Sequence, residues 1–163
     1  MRHHHVCLVV TDLEQAIVLW RDVMGFELRA RAETPDGELP GPKVFVHRAL
    51  LDDIFKVKDA HTKVALLTSP DGARVELLEP INPAVQPRHE GSEGYGFAGI
   101  QEVAFEVDDI DALFARVKQA GYAMQTDYVW PCADIGRSFL FHDGDRSLIQ
   151  IWQENPSAGP SLW

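Results

Sequence analysis

Cysteine is nearly absent from this chain of 163 residues: Cys7 and Cys132 stand in unrelated contexts, with no CxxC pair. That argues against a disulfide framework and a thiolate zinc site, and the thiols are expected to be reduced. Positive charge is also scarce, with 15 Lys and Arg against 25 Asp and Glu and a formal net charge of −10. The basic residues do not gather into a patch, so neither nucleic acid nor an anionic membrane is an expected partner, and a small molecule is. The strongly apolar stretch near the start, VCLVV, is too short for a signal h-region or a membrane span, and a cytoplasmic protein is expected. A G-x-S-x-G elbow, a phosphate-cradling glycine loop and a dinucleotide fingerprint are all missing, which argues against nucleophile and nucleotide chemistry.

What the chain does have is an unusual opening, HHHVCLVV. Its length and β-branched content predict a strand, on which His3, His5 and Cys7 share one face. The next segment, TDLEQAIVLWRDVMG, predicts a helix with a capping box at Thr11 and Glu14 and a stop at Gly25. Leu13, Ala16, Ile17, Trp20, Val23 and Met24 recur at helical spacing and form a stripe to bury on a sheet.

The design then repeats. QEVAFEVDDIDALFARVKQAG reads as a strand, an acidic cap at Asp108, a stripe of Ile110, Leu113, Phe114 and Val117, and a stop at Gly121. Val103, Asp109, Ile110 and Phe114 stand 97 positions after Val6, Asp12, Leu13 and Ile17, an internal repeat. Strands are predicted at FELRAR, KVALLTS and ARVELLEP in the first copy and at YAMQTDYV, RSFLFHD and SLIQIWQ in the second. Asp71-Gly72 and Asp143-Gly144 supply the turn before each last strand. The expected organisation is a βαβββ module over residues 1–79 with an insertion at about 34–61, a linker at 80–99, a second βαβββ module at 100–154 and a tail at 155–163. RALLDDIF within the insertion reads as a short helix or a strand edge, and Trp163 as the end of a loose tail able to tuck back.

Two βαβββ copies, opened by HVCLVVTDLEQAIVLWRDVMGFEL and closed in the first by VELLEP, resemble the vicinal oxygen chelate superfamily. That superfamily takes in glyoxalase I, methylmalonyl-CoA epimerase, bleomycin-resistance proteins and extradiol dioxygenases. The resemblance implies an α+β fold in which two tandem modules form a curved mixed sheet around a central cavity, with metal ligands on the first and last strand of each module. Carried over by position, these ligands are His5 and Glu76 in the first module and Glu102 and Gln150 in the second. Metal-binding relatives commonly have His and Glu at the latter two places. One imidazole, two carboxylates and one amide suit a divalent Zn, Ni, Co, Mn or Fe ion and weaken a dioxygenase reading, since such iron sites use two histidines and a carboxylate.

The implied activity is that of a metal-dependent lyase or isomerase, of glyoxalase or epimerase type, acting on a small oxygenated substrate in a homodimer. Glu102 is the first choice of base and Glu76 the second. Trp130 and Trp152 are read as an apolar substrate wall, and the rival is a non-catalytic binding protein whose cavity holds an apolar or aromatic compound without metal. His47, His61, His89 and His142 are read as surface residues, and Asp108, Asp109 and Asp111 as a helix cap rather than a calcium loop.

Overall fold

The structure is a computed structural model that describes residues 2–89, 91, 95, 96 and 98–159. It divides into two compact units, residues 1–87 and 88–163. Trp163 and part of the linker lie outside the described residues.

In the first unit β1 (Val6–Val9) leads into α1 (Leu13–Val18), which continues as a π-helical turn over Leu19–Val23. There follow β2 (Glu27–Thr34), α2 (Arg48–Phe55), β3 (His61–Thr68) and β4 (Arg74–Asn82). The sheet order is β1-β4-β3-β2, with β1 parallel to β4 and the other pairs antiparallel. In the second unit β5 (Glu102–Glu106), α3 (Ile110–Gln119), β6 (Trp130–Cys132), β7 (Gly136–His142) and β8 (Leu148–Glu154) give the same order, β5-β8-β7-β6, with β5 parallel to β8. The fold is α+β, built of two βαβββ modules with one four-stranded mixed sheet each, and the first carries α2 as its addition.

Each helix buries its stripe on one face of its own sheet. Leu13, Ile17, Trp20 and Val23 are buried on the first, with Trp20 edge-on to Phe26 at 5.2 Å between ring centroids. Ile110, Leu113 and Val117 are buried on the second. Phe114 differs from the expectation: it is half-buried, edge-on to the fully buried Phe139 at 5.2 Å, with the Lys118 ammonium over its ring. The stripe continues past its buried edge, and the outer ring is shielded by an amphipathic lysine stem.

The helix caps correct the sequence reading. Asp12, not Thr11, accepts the Gln15 N–H at 3.0 Å, and Asp109, not Asp108, accepts the Ala112 N–H at 3.0 Å. Asp12 and Asp109 are the pair that the 97-residue offset aligns, so the repeat locates the caps better than local pattern does. In the first unit the sheet secures the helix start as well: the Leu13 N–H donates to Glu79 Oε2 at 3.0 Å, and Lys63 Nζ meets the other Glu79 oxygen at 2.7 Å. Burial alone would raise the Glu79 carboxyl, but these donors outweigh it and hold it below its ordinary range.

Other differences are local. β1 begins at Val6, leaving His3 and His4 outside the strand, because exposed histidines find no ladder partner there. YAMQTDYV forms only a bridge from Met124 to Phe141, and the edge strand β6 comes later, at Trp130–Cys132. RALLDDIF is a helix, N-capped by His47. Gly72 takes the left-handed conformation expected of it, with φ of +97°, whereas in the second turn Arg146 does so, with φ of +65°, while Asp143 accepts from the Asp145 and Ser147 N–H groups. Among the described residues no helix is long and apolar enough to cross a membrane.

Candidate metal and substrate site

Strand register decides which side chains share a face. In the first unit Cys7 lies opposite Glu76 and Glu76 opposite Leu66, so these three project from the same face of the sheet, while Val75, Leu77 and Glu79 point to the α1 side. His5 sits just ahead of β1, two residues before Cys7. Its Nε2 is 3.2 Å from Glu76 Oε2, with the carboxylate side chain 19% exposed and the imidazole 41%. Cys7 also hydrogen-bonds Glu76, and crowding by the surrounding protein followed by the charge of Glu76 pushes its thiol up to about 12. Cys7 is thus a neutral donor to the carboxylate at ordinary pH.

His4 has a place here that the sequence did not reveal. Its Nδ1 lies 2.7 Å from His5 Nδ1, with the rings edge-on at 5.0 Å. With the His5 proton on Nδ1 and donated to His4, the Nε2 lone pair faces Glu76 Oε2 and the two acceptors suit a cation between them; with the proton on Nε2, His5 donates to Glu76 directly. Two ligand atoms bound at about 2.1 Å to one ion are about 3.0 Å apart in an octahedron and about 3.4 Å apart in a tetrahedron. The 3.2 Å separation fits either edge.

In the second unit Ala104 lies opposite Gln150, and Glu102 two residues earlier shares their face. These are the register positions of Cys7, Glu76 and His5: the first strands are offset by 97 residues and the last strands by 74. Glu102 Oε2 accepts the hydroxyl of Tyr95, a linker residue that sequence reasoning passed over, and its Oε1 accepts from none of the described residues. Partial loss of hydration, then the hydrogen bond to Glu102 and its charge, push the exposed Tyr95 hydroxyl up to about 12, so it stays a donor. Gln150 Nε2 donates to Ser138 Oγ at 3.1 Å, and Ser138 Oγ donates to the Ile151 carbonyl at 2.9 Å.

Trp130, Ser138 and Trp152 form one cross-strand row on that same face. The Trp152 ring lies over Gly136, where an added Cβ would come within 2.6 Å of Cζ2. Its indole N–H is buried with no acceptor among the described residues. Of the other histidines, His61 pairs with Glu33 and His142 with Gln125. Among the described residues there is no cluster of three or more His, Cys, Asp and Glu able to hold a metal ion; each unit presents a pair, His5 with Glu76 and Glu102 with Gln150.

The sequence model of the Glyoxalase/Bleomycin resistance protein/Dioxygenase superfamily matches residues 4–141. The chain belongs to that superfamily. It is 28% identical over 126 residues to an ethylmalonyl-CoA/methylmalonyl-CoA epimerase from Cereibacter sphaeroides, covering 74% of this chain and 71% of the relative. Its fold is similar to that of a glyoxalase family protein from Bacillus cereus, with TM-score 0.77, 22% identity and 94% of each chain covered. It is also similar to that of a fosfomycin resistance protein from Listeria monocytogenes solved with Mn(II) and sulfate, with TM-score 0.59, 16% identity and coverage of 95% of this chain and 93% of that one.

Proposed function

We propose that the protein is a divalent-metal-dependent epimerase of 2-substituted acyl thioesters. The proposed metal ligands are His5 and Glu76 in the first module and Glu102 and Gln150 in the second, and Glu102 carries the proton, with Glu76 the second choice. The observation that carries this reading is the His5–Glu76 pair at 3.2 Å, just ahead of the first strand and on the last strand of its module, at positions that Glu102 and Gln150 repeat in the second. Likeness to an epimerase supports the substrate class.

The ion would supply Lewis-acid polarisation of the thioester and adjoining oxygens. The chain supplies the rest. Tyr95 holds one oxygen of Glu102, which fixes the carboxylate and leaves Oε1 to take the proton from the carbon next to the carbonyl; inversion then requires a proton delivered by a second acid to the opposite face of the planar enolate. Trp130 and Trp152 wall the substrate's apolar part. The rival binding-protein reading rests on those same tryptophans.

Protein purified without a metal-affinity tag or chelator should hold close to one divalent ion per chain by elemental analysis. In deuterated water it should exchange the α-proton of a 2-substituted acyl thioester. A chain that takes up no ion and exchanges no α-proton, yet binds aromatic compounds, would put the binding-protein reading in its place.

A further inference from the structure

We propose that Ser138 is the positioning residue of the second module: it sets the orientation of the Gln150 amide so that the amide oxygen, not the nitrogen, is offered on the face that carries Glu102. This rests on the reading of Gln150 as a metal ligand. An amide can point either end at a ligand, and only its oxygen can coordinate a cation. Ser138 is fully buried, and its single hydroxyl proton is spent on the Ile151 carbonyl at 2.9 Å, since two oxygens at that distance without a proton between them would repel. Toward Gln150, 3.1 Å away, Ser138 can therefore only accept, which binds Nε2 and turns Oε1 away. Gln150 Oε1 accepts from none of the described residues.

The first module supplies the control. Arg137 lies opposite Gln153 as Lys63 lies opposite Glu79, so β3 and β7 share the 74-residue offset of the last strands, and the counterpart of Ser138 is Val64. The counterpart of Gln150 is Glu76, whose two oxygens are both acceptors and need no such partner. A hydroxyl stands where the last strand carries an amide, and a valine where it carries a carboxylate.

The test uses the full chain stripped of metal and titrated calorimetrically with Mn²⁺. Ser138→Ala should weaken Mn²⁺ binding at least about tenfold, the usual scale for losing a group that orients a ligand. Ser138→Thr, which keeps the hydroxyl, should restore it. In a Gln150→Glu background Ser138→Ala should cost less than about twofold, because a carboxylate offers oxygen at both ends. An equal loss in both backgrounds would overturn the inference by showing that Ser138 acts through packing. So would unchanged binding in Ser138→Ala beside a clear loss in Gln150→Ala, which would leave Gln150 as a ligand. Unchanged binding in Gln150→Ala would overturn both the inference and the reading beneath it. A measurement needing no variant comes from side-chain amide NMR of the metal-free protein. One Gln150 amide proton should be protected from solvent exchange, and two equally exchanging protons would overturn the proposal.

Discussion

Glu76 and Gln150 occupy the same register position in two sheets of identical strand order, and the residues around each differ in a way that follows from one chemical change. A carboxylate only accepts, and the first module sets a donor against it, the Cys7 thiol, with the His5 imidazole 3.2 Å away. An amide also donates, and the second module has Ala104 in place of Cys7 and adds an acceptor, Ser138. The same contrast recurs on the helix side. Lys63 and Glu79 make an ion pair in the first module, whereas Arg137 donates to the Gln153 amide at 2.8 Å in the second, and Gln153 in turn donates to the Asp108 carbonyl. Duplicated backbone positions therefore do not dictate residue identity. They dictate that the hydrogen-bonding sense of each neighbourhood stay balanced.

The largest effect that separates the modules should be in the helix stripes. Trp20→Ala removes a fully buried ring and should cost about 3–5 kcal/mol in denaturant melts, whereas Phe114→Ala, on a half-buried ring, should cost roughly half as much. Equal losses would mean that Phe114 is better packed than its exposure indicates. Next is the split between the two carboxylates. Glu102→Gln should lower turnover at least about a hundredfold while Mn²⁺ still binds, and Glu76→Gln should release the metal more than it slows the step per bound ion. Identical profiles would erase the division of labour.

A third contrast concerns Gly136, whose counterpart across the 74-residue offset is the buried Thr62. Gly136→Ala puts a Cβ within 2.5 Å of the Gln153 carbonyl and 2.6 Å of the Trp152 ring and should cost about 1–3 kcal/mol of stability, whereas Thr62→Ala relieves no such clash. The smallest difference is in acid. The lowered Glu79 carboxyl contributes stability that is complete above its ordinary value of 4.5 and is lost as the pH falls through its folded value. Gln153 has no proton to gain. Hydrogen exchange should therefore show β4 loosening before β8 on acidification below about pH 4.5, and Glu79→Gln should abolish the difference. By contrast, Asp12→Ala and Asp109→Ala should each cost about 0.5–2 kcal/mol, with little to choose between the two helix starts.

Much of this architecture was legible in the sequence because apolar periodicity and strand alternation are imposed by the backbone. The 97-residue offset aligned Asp12 with Asp109 and His5 with Glu102 before any coordinates. It could not align the later strands, whose offset is 74, because the first module carries a net 23 extra residues, including α2, between its helix and last strands. Without the second offset Ser138 had no counterpart and drew no notice. Tyr95 and His4 escaped for another reason: their partners, Glu102 and His5, are met through loop and terminal backbone that has no periodicity to read. Phe114 was misjudged because helical spacing identifies a face without saying how far the burial extends around it.

The Trp152 indole has an optical consequence. Its N–H is buried without an acceptor among the described residues, and its ring lies close to Gly136 in the row that also holds Trp130. An indole whose N–H is buried without an acceptor emits toward the blue, and a carbonyl or other acceptor brought to that N–H would shift the emission to the red and alter its intensity. The chain thus carries an intrinsic fluorophore on the face proposed for substrate, so occupancy can be followed by emission without a label, turnover or knowledge of the metal.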